Sequence, residues 1–262
     1  MNNDEILWRH LRDLPYFRAM LRAVEDRFYQ DIELAGPVLD IGCGDGQFAS
    51  VAFKKPLDVG LDPWSEPLKE TLSHGAYRMV VQAYGDQIPF PAGSFGSAIS
   101  NSVLEHIPNV EKVINDVGRA VRPGGLFVFC VPNHRFIDQL WGTRFFNGLG
   151  MKGLGKRYSR FFNRIARHIN LDEPAVWIKR AEAAGFKVEQ HWNYFPLAAL
   201  TTLETGHLFG LPSLFTRKLF GKWILVQQRW NLAIPWQLSR KYLENPKTEE
   251  GVCTFFIARK QS

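Results

Sequence analysis

Two carboxylates and three glycines carry the first chemical signal of this chain. In Val38-Leu39-Asp40-Ile41-Gly42-Cys43-Gly44-Asp45-Gly46 an apolar run of strand type stops at an acid, and glycines then alternate with other residues. Glycines at that spacing let the backbone turn sharply and bring its N–H groups against a ligand with no side chain between. A second apolar run, Val59-Gly60-Leu61, ends in Asp62. The interval is about the twenty residues at which an acid meets a ribose in the nucleotide-type pockets of open α/β sheets. The glycine register narrows the ligand. A dinucleotide fingerprint needs G-x-G-x-x-G, and its third glycine is replaced here by Gln47; no Gly-Lys-Ser/Thr follows to make a tight phosphate loop. An ordinary glycine turn between strand and helix is the plainer reading, and Asp62 at the right distance weighs against it.

Proton transfer is the second chemistry. His106 and His134 follow the fourth and fifth predicted strands, over the carboxyl edge where ligands bind in such sheets. An imidazole titrates near neutrality, so either is a candidate general base. The competing roles are loop packing for His106 and substrate shape for His134; His168 and His191 are weaker candidates. Anion recognition is the third. Residues 133–170 carry eight arginines and lysines against a single acid, Asp138, with aromatic residues interleaved. Arg157 and Arg160 are the candidate substrate contacts, for a phosphate or carboxylate beside an apolar body. The plainer alternative is a solvated helix whose arginine stems cover core aromatics.

These residues need a frame. Apolar periodicity predicts a helix over residues 4–30, broken or kinked at Pro15. Strands are predicted at Val38–Ile41, Asp58–Leu61, Tyr77–Gln82, Ser97–Asn101, Leu126–Val131, Phe186–Trp192 and Val252–Ala258, with helices from Gln47, over Glu111–Val121 and over Glu173–Ala184. Arg122-Pro123-Gly124-Gly125 reads as a stop and turn. Strands alternating with helices imply an α/β fold with a doubly wound, mostly parallel sheet. The expected organisation is an N-terminal helical cap (1–35), a binding core (36–132), a basic-aromatic lid (133–171), a core helix and strand (172–195), an apolar helical insertion (196–250) and a final strand (251–262). The insertion is apolar enough to bury a tail or to lie in a membrane interface, with Lys218, Lys222 and Arg229 toward lipid heads; a helical cap or a dimer surface is the alternative.

Composition sets outer limits. The chain has 262 residues and a net charge of +6, which permits anionic partners without choosing among them. Cys43, Cys130 and Cys253 are far apart and form no Cys-x-x-Cys pair, so neither a disulfide framework nor a metal site is expected. A cytoplasmic location fits, or one peripheral to the inner face of a membrane. The acidic N-terminus lacks an apolar signal core, and no apolar run reaches the ~18 residues of a membrane span.

Taken in order, five segments resemble the small-molecule, type 11 branch of class I S-adenosylmethionine (SAM)-dependent methyltransferases. They are the Asp40–Gly46 loop, the Asp62 strand end, Ile88-Pro89-Phe90-Pro91-Ala92-Gly93-Ser94-Phe95, Val103-Leu104-Glu105-His106, and Arg122-Pro123-Gly124-Gly125. The resemblance covers about residues 36 to 131, and extends more weakly through Ala183-Ala184-Gly185-Phe186 to the final strand. It implies a Rossmann-like sheet of seven strands with helical insertions, and SAM as cofactor. By that resemblance Asp40 fixes the loop and the amino-acid part of SAM. The backbone of Gly42, Cys43, Gly44 and Gly46 passes close to the cofactor. Asp62 accepts both ribose hydroxyls, Pro63 and Trp64 line the adenine, and Tyr84, Asp86 and Asn101 complete the pocket. The implied reaction is methyl transfer to an oxygen, nitrogen or carbon of a small, hydrophobic or lipid-linked acceptor, without DNA as a partner. Two positions depart from the family. Tyr84 stands where an aspartate near the adenine is usual, and Gly96 replaces an aspartate, an expected local loss of bracing on the fourth strand. Two other function classes remain open here. A nucleic-acid methyltransferase would suit the basic, aromatic segment, although the fourth strand ends in Asn101-Ser102-Val103 without the Asn/Asp-Pro-Pro-aromatic signature of base-amino methylation. A non-catalytic SAM-fold binding protein is the other.

Overall fold

In a computed structural model, residues 2–209 and 211–262 are described. Met1 and Gly210, the latter inside the predicted apolar insertion, lie outside the described residues. The chain divides into two compact units. One comprises Glu33–Arg135, Arg164–Trp192 and Cys253–Ser262; the other comprises Met1–Ile32, Phe136–Asn163 and Asn193–Val252.

The first unit is built on a sheet of seven strands. They are β1 (Val38–Ile41), β2 (Leu57–Asp62), β3 (Tyr77–Gln82), β4 (Phe95–Asn101), β5 (Val121–Pro132), β6 (Phe186–Tyr194) and β7 (Cys253–Lys260), in the order β3-β2-β1-β4-β5-β7-β6. Pairing is parallel from β3 across to β5, and β7 runs antiparallel to β5. This is the α/β, doubly wound, mostly parallel architecture that the sequence predicts. The two central strands β1 and β4 are buried along their whole length, as strands covered on both faces must be. One of those covers is the helix Val110–Ala120, whose Val110, Val113, Ile114 and Val117 recur at helical spacing and are all buried.

Two local expectations are corrected. Arg122-Pro123-Gly124-Gly125 is not a turn outside the sheet but an irregularity within β5. Pairing with β4 passes from Phe95↔Val121 to Ser97↔Leu126, so extra residues bulge from β5 while both flanks stay paired. Gly96 is not a loss of bracing. A Cβ there would lie 2.6 Å from the carbonyl oxygens of both Ala35 and Gly36, because the chain entering β1 presses directly on β4. Only a residue without a side chain fits that approach.

The second unit is helical. The predicted N-terminal helix is two helices, Asn3–Leu11 and Tyr16–Tyr29, with Pro15 as the N-cap of the second. Buried ionisable groups in this unit pair with one another. His10 and Asp26 pair at 3.1 Å with no exposed surface. Glu25 accepts from Tyr194 Oη at 2.9 Å and from Arg22 at 2.9 Å. Glu204 accepts from the backbone N–H of Trp141 and Gly142 at 2.6 and 3.0 Å and from Tyr158 Oη at 2.5 Å, fixing the start of the helix Trp141–Gly148. Among the described residues no helix is long and apolar enough to cross a membrane.

Candidate active site

The loop after β1 is folded against the end of β2. Parallel pairing of Ile41 with Leu61 brings the two strand ends level. Gly42, Gly44 and Gly46 have φ of +75°, +55° and +76°, a region that L-residues with a Cβ rarely adopt. Gly42 N and Cys43 N both donate to Leu61 O, at 2.8 and 3.1 Å. Gly44 N donates to Asp62 Oδ2 at 3.1 Å, and Thr71 Oγ1 donates to Gly44 O at 2.6 Å. The loop is therefore pinned from both sides.

Asp62 lies before the helix Ser65–His74, whose N-cap is Trp64. The second oxygen of Asp62, Oδ1, accepts from Trp64 N at 2.9 Å. A carboxylate oxygen has two lone-pair directions, so each retains room for one further donor. Burial pushes the Asp62 carboxyl above the usual range, and the two backbone bonds only partly oppose it. The charged form thus gains from additional donors such as the two hydroxyls of a ribose.

Asp40 is held by a residue the sequence reading missed. Tyr77 Oη donates to Asp40 Oδ2 at 2.6 Å. Burial, and next the charge of Asp40, push the Tyr77 phenol well up, so it stays protonated and remains the donor. Its ring crosses β2 over Gly60, where a Cβ would lie 3.0 Å from the ring atoms. Cys43 is buried, and burial followed by the charges of Asp40 and Asp62 push its thiol far up. Its sulfur is inert as a nucleophile, and its part in the loop is played by the backbone. The amide Nε2 of Gln47, at the start of the next helix, is buried with no hydrogen bond among the described residues. Such a donor is rare in folded chains without a partner to meet it.

The adenine candidates gather beside Asp62. Ala83 N donates to Asp62 O at 3.2 Å, and Gln82 Nε2 donates to Pro63 O at 3.1 Å, which draws the turn of Tyr84 and Asp86 to the Pro63-Trp64 segment. The Trp64 and Tyr84 rings are 67% and 60% exposed. Asn101 is buried at the end of β4, where its Oδ1 accepts from Cys130 Sγ at 3.1 Å.

A sequence profile for a family described as "Methyltransferase domain" matches residues 7–191. The chain belongs to the methyltransferase family. An uncharacterized methyltransferase of Mycobacterium sp. (strain JLS) is 35% identical over 92 residues, 35% of this chain and 36% of that protein. The ubiquinone biosynthesis O-methyltransferase of Dechloromonas aromatica (strain RCB) is 30% identical over 162 residues, 58% of this chain and 66% of that enzyme. The chain thus spans between about a third and two-thirds of the length of the curated relatives it matches. In fold it is similar to a SAM-dependent methyltransferase, possible histamine N-methyltransferase, of Thermotoga maritima, with a TM-score of 0.55 at 14% identity over 94% of this chain and 91% of that one. A phosphoethanolamine-type N-methyltransferase of Haemonchus contortus, solved with S-adenosylhomocysteine, gives 0.52 at 19% identity over 92% and 52%.

SAM is the cofactor of this methyltransferase, and the residues present fit it. Asp62 offers two acceptor directions for hydroxyls, Gly44 leaves open space where a side chain would stand, and Gln47 Nε2 is a buried donor in want of an acceptor. The candidate bases are held differently from one another. His134 follows β5 in a turn set by Asn133, whose Oδ1 accepts from Arg135 N at 3.0 Å and whose Nδ2 donates to Thr254 Oγ1 at 3.1 Å. His134 Nδ1 is buried with no hydrogen bond among the described residues. His106 is 40% exposed, and its Nε2 lies 3.6 Å from Glu105 Oε1. Its ring stacks on His168 with centroids 5.4 Å apart. Burial, and then His106, push the His168 imidazole down to about 4. His191 stacks on Phe256 at 5.9 Å, a packing role. Arg160 falls in the helical unit, where it lines a cavity of about 540 Å³ with Lys152, Lys156 and Ser159. Arg157 is not among the residues lining that cavity.

Proposed function

We propose that this enzyme transfers the methyl group of SAM to a hydroxyl oxygen of a small, hydrophobic or lipid-linked acceptor. The observation that carries the choice of oxygen is the likeness, over 162 residues, to an enzyme named as an O-methyltransferase of ubiquinone biosynthesis. Bound SAM supplies an electrophilic methyl on a sulfonium that is already a good leaving group. The chain's own residues therefore have to align the reactants and keep water out. Asp62 and the glycine loop hold the cofactor, Tyr77 fixes the carboxylate of Asp40 just before that loop, and the Trp64 and Tyr84 rings flank a flat base. A hydroxyl must also shed its proton. His134 and His106 are the candidate bases, since an imidazole near neutral pH matches that task.

Two surface features support the acceptor class. The helix Leu211–Phe220 exposes Phe215, Leu219 and Phe220 by 62–72% and carries Arg217 and Lys218 in its last turn; Trp230 and Ile234 are exposed as fully. Apolar rings interspersed with cations suit an anionic lipid surface. Within the helical unit, Lys152, Lys156 and Arg160 line one cavity whose wall also holds Asp138, a lining that suits a small anion. The test is a screen of lipid and aqueous extracts with methyl-labelled SAM. Label in a lipid-extract product, reduced in His134→Ala with SAM affinity unchanged, is the expected result. Label that enters only RNA overturns the proposal.

A further inference from the structure

We propose that Glu105, His106 and His168 form a binding site for a transition-metal dication of the zinc type. One carboxylate oxygen and one ring nitrogen from each histidine all lie within 4.8 Å of one another. Ligand atoms of a tetrahedral zinc ion, bound at about 2.1 Å, are roughly 3.4 Å apart. The His106 Nε2 to Glu105 Oε1 separation, 3.6 Å, is already close to that value.

The cluster has the supports that metal-binding histidines need. His106 Nδ1 is 3.1 Å from the carbonyl oxygen of Arg167. A carbonyl only accepts, so the ring proton sits on Nδ1 and Nε2 presents its lone pair, on the side where Glu105 Oε1 is 3.6 Å away. The His106 and His168 ring centroids are 5.4 Å apart, with their planes 24° from parallel. Glu105 is 2% exposed, and a carboxylate taken that far from water is favoured by a cation beside it.

The backbone is fixed to match. Ile169 N and Asn170 N both donate to Glu105 O, at 2.7 and 3.0 Å. Asn170 Nδ2 donates to Leu104 O at 3.2 Å and to Ile107 O at 2.7 Å. These four bonds bolt residues 167–170 to the turn that carries Glu105 and His106, and Arg167 adopts φ +59° to complete the approach. A non-glycine residue held in that region stores strain of the kind found at functional sites. The cluster also adjoins the cofactor loop, since Val103 packs against Gly42. Two imidazoles and one carboxylate suit zinc, cobalt, nickel or iron(II) rather than magnesium, and three protein ligands leave a position for water or substrate oxygen.

The inference stands apart from the choice of acceptor; a metal on His106 Nε2 leaves the role of base to His134. Its test reads the metal directly. The full chain, stripped with chelator, is titrated with Co²⁺ and followed by visible absorption. One equivalent with d–d bands of a low-coordinate site, displaced by Zn²⁺ and not by Mg²⁺, is expected. Glu105→Gln, His106→Asn and His168→Ala should each lower Co²⁺ affinity by at least about tenfold, while His74→Ala, on an exposed residue elsewhere, should not. SAM binding by each stripped variant verifies its fold, and any one folded variant suffices for the comparison. No bands, an affinity equal in all variants, or displacement by Mg²⁺ overturns the proposal.

Discussion

Replacing Asp62 with asparagine keeps the side-chain volume and removes the charge. The two backbone donors, Gly44 N and Trp64 N, approach different oxygens of this carboxylate. An asparagine has one oxygen and one NH₂, so its NH₂ must confront one of those N–H groups. One loop bond is lost, and the hydroxyl contacts of SAM meet a neutral group. Hydrogen bonds to a charged partner are worth roughly 1.5–3 kcal/mol each. Exchanging two of them for neutral bonds, worth roughly 0.5–1.5 kcal/mol each, costs about 2–3 kcal/mol, or on the order of thirtyfold to a hundredfold in Kd. Stability of the unliganded protein should change much less. Burial raises the folded pKa of Asp62, so above that pKa the charge disfavours the folded state; its removal offsets the lost loop bond. Titration calorimetry gives Kd and scanning calorimetry gives Tm for the same samples. The wild-type affinity should also decline in acid, beginning above the ordinary aspartate value near 3.9, where the asparagine variant stays flat. A Kd within about threefold of wild type at unchanged Tm refutes the placing of Asp62 on the ribose.

Three further outcomes follow from the same geometry. Tyr77→Phe removes the donor to buried Asp40 and should cost about 1.5–3 kcal/mol of stability, read from urea unfolding; an unshifted midpoint means that Asp40 is satisfied without Tyr77. Gly96→Asp restores the family's usual residue and should nonetheless destabilise by about 1–3 kcal/mol or more, because its Cβ meets two carbonyl oxygens; equal stability contradicts that contact. Cys43 should resist iodoacetamide at pH 8 in the native protein and react on unfolding, since its raised pKa leaves almost no thiolate; rapid native labelling, located by mass spectrometry, contradicts the burial.

The pairing of the glycine loop with the Asp62 strand end was legible because it is local. One strand, one glycine loop and one strand-ending acid fall within a short stretch, and the parallel pairing of β1 with β2 does the rest. The Tyr77–Asp40 bond was not legible, since it crosses β2 between strands whose register no sequence pattern states. Gly60, inside an apolar strand, was the available signal: glycine there marks a close approach, and the approaching group is the Tyr77 ring. Gly96 misled for the opposite reason. Its neighbour is backbone from residues 35 and 36, and a carbonyl pressing on a strand leaves no trace in residue types. Glu105 and His106 stood in a recognised motif, yet His168 comes from a segment well downstream and joins them only through the bonds of Ile169 and Asn170 to that turn. Arg160 was picked out by composition alone, and composition offered Arg157 equally; only helix phase separates the one that lines the cavity.

The central claim concerns where the methyl group goes. The full chain, incubated with methyl-deuterated SAM and a lipid extract, should yield S-adenosylhomocysteine and, in equal amount, a lipid-soluble product whose fragmentation places the labelled methyl on oxygen. SAM that binds yet is not turned over with either lipid or aqueous extract, or label found on nitrogen or carbon of the product, would contradict it.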